Sequence, residues 1–322
     1  MCPKVALVVI LVTLFLPSPW SFEDVMKLTR FNAINLLGPG GSLIFDETGQ
    51  QKYGPDSVGT STQYLGKNGH ICNAQVAVFA SYCINNISAL IDYRLFLAES
   101  WINNPEKSLK LGIPLERLDH KTKQNLALEM LDVFRSEEIP FSYVQADALY
   151  GSDSHFIAGL YQRGESFICD IPSDTLVYIT EPELIVPQRQ GNKGRFPTKL
   201  RVLNTFPVQA RWLAEIQTCW ESIDIRFTNR GIKTVECAVL SVWRRQDGLP
   251  ADIPIRLIMI RDPDEGMIRF AFTNILNLDL QNLAKSQTNR YWIERNFEDA
   301  KGLCFRQLNF DPPRQSKSDP PP

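Results

Sequence analysis

Arg290-Tyr291-Trp292-Ile293-Glu294-Arg295-Asn296-Phe297-Glu298-Asp299-Ala300-Lys301 lies near the C-terminal end of the 322-residue chain, and the rest of the sequence is read outward from it. At about 100° per residue the stretch predicts a helix on which Arg290, Glu294 and Lys301 project within roughly 40° of one another. Ile293, Phe297 and Ala300 form an adjacent apolar stripe. Such a helix docks on a core through one face and presents, on the other, a carboxylate flanked along its axis by two cations. Taken alone, the spacing describes a solvated i,i+4 ion-pair face equally well.

Two further acids change that balance. Asp46 closes the apolar run Leu43-Ile44-Phe45, and Asp147 closes Phe141-Ser142-Tyr143-Val144-Gln145-Ala146. A carboxylate at the end of a buried strand is costly to leave alone, so it meets a backbone donor, a cation or a metal. Three such acids, remote in sequence and free to converge in the fold, have the chemistry to bind a divalent ion.

Phe45-Asp46-Glu47-Thr48-Gly49, Ala146-Asp147-Ala148-Leu149-Tyr150-Gly151 and the stretch from Trp292 to Lys301 resemble the three acidic motifs of the DDE transposases of bacterial insertion sequences. Gln75-Val76-Ala77-Val78-Phe79 and Leu95-Phe96-Leu97-Ala98-Glu99-Ser100-Trp101 are similar to segments of the same family, and the likeness runs in order from about Ser18 to Leu303. The branch most like it carries a Tyr-x2-Arg-x3-Glu-x6-Lys signature. Arg290, Glu294 and Lys301 keep that spacing, but the Tyr position is Gln287, which puts one phosphate-side contact in question. The resemblance implies an α/β, ribonuclease-H-like mixed sheet with flanking helices and a mostly β insertion before the last catalytic helix. It implies Asp46, Asp147 and Glu294 as catalytic residues holding Mg²⁺ (or Mn²⁺), with Arg290 and Lys301 on DNA phosphates. Glu298 lies one turn from Glu294, about 40° further round, so only Glu294 fits the signature on both sides.

Composition is that of an ordinary globular chain, 44% hydrophobic and 22% charged, with a formal net charge of -2. No global basic field announces a nucleic-acid binder, so contact with DNA has to come from local patches. Seven scattered cysteines without a Cys-x-x-Cys indicate neither a disulfide framework nor a zinc site, and read as reduced cytosolic thiols. Three isolated histidines are a poor basis for a His-rich metal site.

Along the chain, Met1-Cys2-Pro3-Lys4 and the apolar run Val5 to Leu16 imitate a signal peptide, but the run is too short to span a bilayer and no small-x-small cleavage site follows. Residues 1–20 are set apart as an apolar N-terminal segment. Ser21 to Leu37 reads as a helix capped by Ser21, with Phe22, Val25, Leu28 and Leu36 on one face and Gly38-Pro39-Gly40-Gly41 ending it. Leu43 to Asp46 is a strand. Gln63-Tyr64 pairs with Ile71 to Phe79 across Lys67-Asn68-Gly69, an Asn-Gly hairpin signal, and Ala89 to Leu97 continues in β-like alternation. Lys121 to Ser136 is an amphipathic helix, Phe141 to Ala146 a parallel strand and Ser152 to Arg163 a helix. These elements make residues 21–175 the first part of the core.

Between residues 176 and 274 the pattern changes to short, punctuated segments with strands at Thr234 to Trp243, Pro254 to Ile260 and Met267 to Phe272. That span reads as the β insertion, and Arg189, Lys193, Arg195 and Lys199 make a loosely basic loop inside it. Residues 275–303 complete the core with the catalytic helix region, and the Pro-rich polar tail, 304–322, is expected to be disordered.

The function expected from the resemblance is divalent-metal-dependent DNA strand cleavage and strand transfer for transposition. DNA, as transposon ends and target, is the expected partner, with a homodimer left open, no membrane partner, and a cytoplasmic location. Two alternatives stay open. The family places a DNA-binding region before the first acidic motif and further helices after the last. Only 45 residues precede Asp46, so an inactive truncated remnant is one reading. An exported binding protein led by the apolar N-terminus is the other.

Overall fold

The computed structural model of the chain describes residues 21–54, 57–66, 69–189, 196–228 and 231–303. The apolar N-terminal segment, the Pro-rich tail, Lys67 and Asn68 of the hairpin signal, and Lys193 and Arg195 of the basic loop lie outside the described residues.

Helix α1 (Phe22–Leu37) begins at Ser21, whose hydroxyl accepts the Asp24 amide, and ends at Gly38, which takes a positive φ of 87°. The chain then enters β1 (Gly41–Gln51), followed by β2 (Thr60–Leu65), β3 (His70–Ile84) and β4 (Ile87–Leu95). Asn85 and Asn86, at φ 50° and 63°, make the two-residue turn between β3 and β4, a conformation asparagine tolerates better than most residues. Short helices α2 (Glu99–Ile102) and α3 (Pro105–Lys110) lead to α4 (Lys123–Ser136), and then come β5 (Phe141–Ala146), α5 (Ala148–Gly151), α6 (Ser154–Gln162) and β6 (Phe167–Ile171).

Pairing puts these strands in the order β4-β3-β1-β5-β6, with β1–β3 and β3–β4 antiparallel and β1–β5 and β5–β6 parallel. This is the mixed, ribonuclease-H-like α/β arrangement. β1 is buried without interruption from Gly41 to Asp46 because helices cover both faces of the sheet, which is why its sequence reads as a solid apolar run. On one face α4 contributes Met130, Leu131 and Phe134, all at 0% exposure, and the Phe134 ring stacks over Phe45 at 6.4 Å.

The remaining strands, apart from β8 and β9, extend the same sheet. In chain order all of them are β7 (Leu176–Tyr178), β8 (Leu184–Ile185), β9 (Arg201–Val202), β10 (Val208–Gln209), then, after α7 (Ala210–Ile216), β11 (Glu221–Thr228), β12 (Gly231–Gln246), β13 (Leu249–Pro250), β14 (Ile255–Asp262) and β15 (Met267–Thr273). β12, β14 and β15 form an antiparallel meander, and β15 pairs with β6, so only the β8–β9 pair stands apart among the described strands. Helices α8 (Leu280–Thr288) and α9 (Tyr291–Leu303) then return to the face opposite α4. Leu283 and Ala284 of α8 pack with Ile168, Ile258 and Ala271, while Ile293 and Phe297 of α9 pack with Ile44 and Cys83.

The expected face of α1 needs correction. Its buried residues are Met26, Thr29, Arg30 and Ala33, whereas Leu28 and Leu36 are 55% and 69% exposed. Arg30 turns inward because its guanidinium bonds Asp92 of β4 at 2.8 Å and Glu137 at 2.7 Å, and that charge geometry overrides the apolar count. Strands β6 and β11 were also not anticipated. Phe167–Ile171 is a five-residue run buried at all but one position, too short for periodicity to distinguish it.

Asp92 is fully buried, and burial raises its carboxyl above the usual range even though Arg94 and Arg30 pull it down. Removing one partner of a buried pair is therefore expensive. Arg30→Ala should lower the unfolding free energy by about 3 kcal/mol, the low end of the usual range because Arg94 remains. Urea unfolding checks this, and a loss below about 1 kcal/mol would mean the pair is solvated.

Candidate active site

Asp46 sits on β1 opposite Phe79 of β3 and is 8% exposed. Its Oδ1 accepts the Glu47 amide at 2.7 Å. Asp147 follows the last residue of β5 and caps α5, its Oδ1 accepting the Leu149 amide at 2.9 Å. Ala146 pairs with Phe45, so parallel pairing brings Asp46 and Asp147 to neighbouring positions at one sheet edge. The turn after Asp147 lies flat on β6 because Gly151 has no side chain, and the Asp170 carbonyl oxygen fills the space a Cβ would need.

Asp46, Glu47 and Asp147 each offer one carboxylate oxygen within 4.8 Å of the others. Glu47 Oε1 is held by Lys123 Nζ of α4 at 2.9 Å, while its Oε2 is buried. Tyr150, fully buried, places its hydroxyl beside these acids, next to Glu47. Burial, then the charges of Glu47, Asp147 and Asp46, hold its phenol well above the usual value.

From the other side, α9 brings Arg290 into the cluster. Its guanidinium reaches Asp170 of β6 at 2.9 Å, Glu294 at 3.0 Å and Asp46 at 3.4 Å. Burial works against its positive charge, but Asp170, Asp46, Glu294 and Asp147 together hold it above its ordinary value. Gln287, at the expected Tyr position, is buried and donates to Asp170 at 2.9 Å. Lys301 Nζ donates to Thr48 Oγ1 at 2.5 Å, two residues from Asp46. Glu298 pairs instead with Arg295 at 3.1 Å and is 70% exposed at its side chain.

The acids are short of positive charge. Burial first, and then Asp147, push Asp46 up to about 7 against the pull of Arg290. Burial first, and then Glu47, push Asp147 up to about 6. Burial likewise raises Asp170, with Arg290 and Gln287 opposing. Carboxylates crowded in this way favour a proton or a hard cation. Oxygens sharing one octahedral Mg²⁺ lie at most about 4.2 Å apart. The three oxygens lie within 4.8 Å of one another, so a small side-chain adjustment brings them to that spacing, and Glu47 has the donor chemistry to join.

Of the residues expected from sequence, Asp46 and Asp147 come together directly, Glu294 is tied to Asp46 through Arg290, and Lys301 lies alongside. Glu47, Lys123, Tyr150 and Asp170 were not singled out. Strand alternation sends Glu47 to the opposite face from Asp46, and Asp170 belongs to the unanticipated β6. The acidic motif containing Glu47 and the motif containing Tyr150 were the only signals for either. Arg189 of the basic loop lies over the Phe196 ring, 4.7 Å from its centroid.

No helix among the described residues is long and apolar enough to cross a membrane. The family model for DDE superfamily endonucleases matches residues 11–236, a span that contains Asp46 and Asp147 and ends before Glu294. The chain is also 29% identical over 203 residues to a protein of Microchaete diplosiphon named "Probable transposase for insertion sequence element IS701". That alignment covers 62% of this chain and 48% of the relative, so the chain spans about half the length of the curated relative it matches. With more than half of its length inside the family match, and with two of the expected acids converged at one sheet edge, the chain belongs to the DDE superfamily endonucleases.

Proposed function

We propose that this protein cleaves and transfers DNA strands in transposition, using divalent cations held by Asp46, Asp147 and Glu294. The observation that carries the reading is the convergence of Asp46, Glu47 and Asp147 on one buried point, with Glu294 tethered to it by Arg290. Mg²⁺, or Mn²⁺ in its place, suits an all-carboxylate donor set. When bound at such a site, divalent cations activate a water or a 3′-hydroxyl for in-line attack on a phosphodiester and stabilise the leaving oxygen.

The chain's own groups have separate tasks. Asp46 and Asp147 supply the fixed oxygens, because strand pairing and the Asp147 cap leave them little freedom. Lys123 holds one oxygen of Glu47 and leaves the other turned to the cluster. Arg290 orients Glu294 and adds positive charge where a DNA phosphate would lie, and Lys301, placed beside Thr48, offers a second cation to the backbone. Contacts of this kind position DNA without reading its sequence. On this reading residues 21–175 and 275–303 are the catalytic core, 176–274 its mostly β insertion, and the protein works on DNA in the cytoplasm.

Two measurements test the site. In a Mg²⁺-dependent cleavage assay, Asp46→Asn, Asp147→Asn and Glu294→Gln should each lower activity by more than about 100-fold, beyond what loss of an outer-sphere partner does. Glu298→Gln removes only an exposed ion pair and should stay within about threefold of the parent. Comparable loss in Glu298→Gln, with Glu294→Gln active, would move the site by one helical turn.

The second uses pH. A carboxyl whose value is higher in the folded than in the unfolded chain favours folding while protonated. Its contribution is complete below the ordinary carboxylate range, and is lost as pH rises through about 6 for Asp147 and about 7 for Asp46. The metal-free protein should therefore lose stability from this pair between about pH 4 and about pH 7, and Mg²⁺ or Mn²⁺ should raise the melting temperature more at the upper end of that window than at the lower. Thermal melts with and without chelator read this out, and an equal metal effect at both pH values would rule against binding at these acids.

A further inference from the structure

Beyond the helical turn headed by Asp147, a cavity of about 300 Å³ opens at the same edge of the sheet. Its walls include Ser152 and Ser154 at the α5–α6 junction, Thr175 ahead of β7, and Arg244 and Arg245 of β12. Arg244 is only 8% exposed. Its Nη2 donates to the neutral Gln246 Oε1 at 3.3 Å, and it forms no ion pair among the described residues. Burial lowers its pKa, with only the Tyr161 phenol and Cys169 thiol acting the other way. The contrast with Arg30 and Arg290, which are matched by two and three carboxylates, is direct.

A desolvated cation without a counter-charge is costly, so a site that keeps one is built to receive an anion. Asp174 and Asp247 also line the cavity, but both are exposed and neither reaches Arg244 at ion-pair distance, so water screens them. Ser154 is the first residue of α6, whose start is already capped by the Asp153 carboxylate accepting the Phe156 amide at 2.7 Å, so the wall gains the Ser154 hydroxyl and no uncapped helix end. The Ser152 hydroxyl is already donated to the Ala148 carbonyl at 2.6 Å, so the planar Arg244 guanidinium with the Ser154 and Thr175 hydroxyls is the donor set that matches the oxygens of a phosphate. The single helical turn from Asp147 to Gly151 rises about 6 Å, so the cavity wall lies close to the acid cluster.

We propose that this cavity is a phosphate subsite that holds a backbone phosphodiester of the DNA strand leading away from the acid cluster. The assignment rests on the DNA reading above. It adds a contact outside the acidic motifs and their signature cations, and places it on the strand β12 and the α5–α6 junction.

The test uses two probes, inorganic phosphate and a short DNA duplex, both without divalent metal so that no cleavage occurs. Ser154→Asp adds a carboxylate to the cavity wall, next to the existing Asp153 cap, and gives Arg244 an internal counter-charge. Millimolar phosphate should raise the melting temperature of the parent protein, while Ser154→Asp should melt higher without phosphate and gain nothing from it. In fluorescence anisotropy the variant should bind the duplex about tenfold more weakly, with the slope of log affinity against log salt reduced by about one. Arg244→Gln should lose both responses, and if it does not fold, Ser154→Asp decides the matter.

An unchanged phosphate response and unchanged duplex affinity in Ser154→Asp would overturn the subsite while leaving DNA binding intact. Loss of the phosphate response with duplex affinity unchanged would mean a free anion is held, which overturns the DNA assignment. Failure of the parent to bind any duplex, with phosphate still bound, would overturn the proposed function and the DNA assignment together and leave only an anion site.

Discussion

The guanidinium of Arg290 ties together three parts of the chain that share no sequence neighbourhood. It bonds Asp46 on β1, Asp170 on β6 and Glu294 on α9, the helix that Arg290 immediately precedes. An ion shared by several carboxylates in a half-buried setting is geometrically demanding, because losing its bond to Asp46 or Asp170 leaves a largely buried carboxylate without its partner. The position of α9 over the sheet follows from that demand together with the apolar stripe of Ile293, Phe297 and Ala300, all of them buried. Asn296 adds direction, donating to Ser81 at 2.8 Å and accepting from Ser88 at 3.1 Å.

The same constraint explains the electrostatics of the acid cluster. One arginine shared among Asp46, Asp170 and Glu294 does not neutralise Asp147 and Glu47 as well, and Lys123 reaches only Glu47. The carboxyls of Asp46 and Asp147 accordingly sit well above their ordinary values, burial being the main cause. An edge of the sheet that is both desolvated and short of cations is a poor arrangement for stability alone. It is a sensible one for a centre that completes itself with metal and phosphate.

Continuity of the sheet gives the span from residue 176 to 274 a mechanical role. β15 pairs with β6 through Phe270–Ile171 to Thr273–Ile168, so the meander is hydrogen-bonded directly to the strand that carries Asp170. β12 continues that sheet and delivers Arg244 and Arg245 to the cavity beside the α5–α6 junction. A region that reads in sequence as an insertion thus shares one hydrogen-bonded frame with the acid cluster, which fixes the separation of the two features.

Local pattern determined a good deal by itself. Ser21 capping α1, the strand Phe141–Ala146, the meander from β12 to β15 and the amphipathic character of α9 all follow from capping chemistry and periodicity acting over a few residues. The expectation that the three acids, Arg290 and Lys301 are site residues has a different source, since their motifs resemble those of a known family and keep its spacing. Tertiary structure alone decided the rest. Which face of α1 is buried depends on Asp92 and Glu137, far away in sequence, pairing with Arg30. Glu47 joins Asp46 and Asp147 although strand alternation predicts the opposite side. Asp170 and Arg244 are ordinary charged residues in the sequence, and become significant only once burial removes water and the fold supplies three-sided pairing to one site and none to the other. Desolvation and long-range charge pairing are sums over the whole fold, and no window of neighbouring residues contains them.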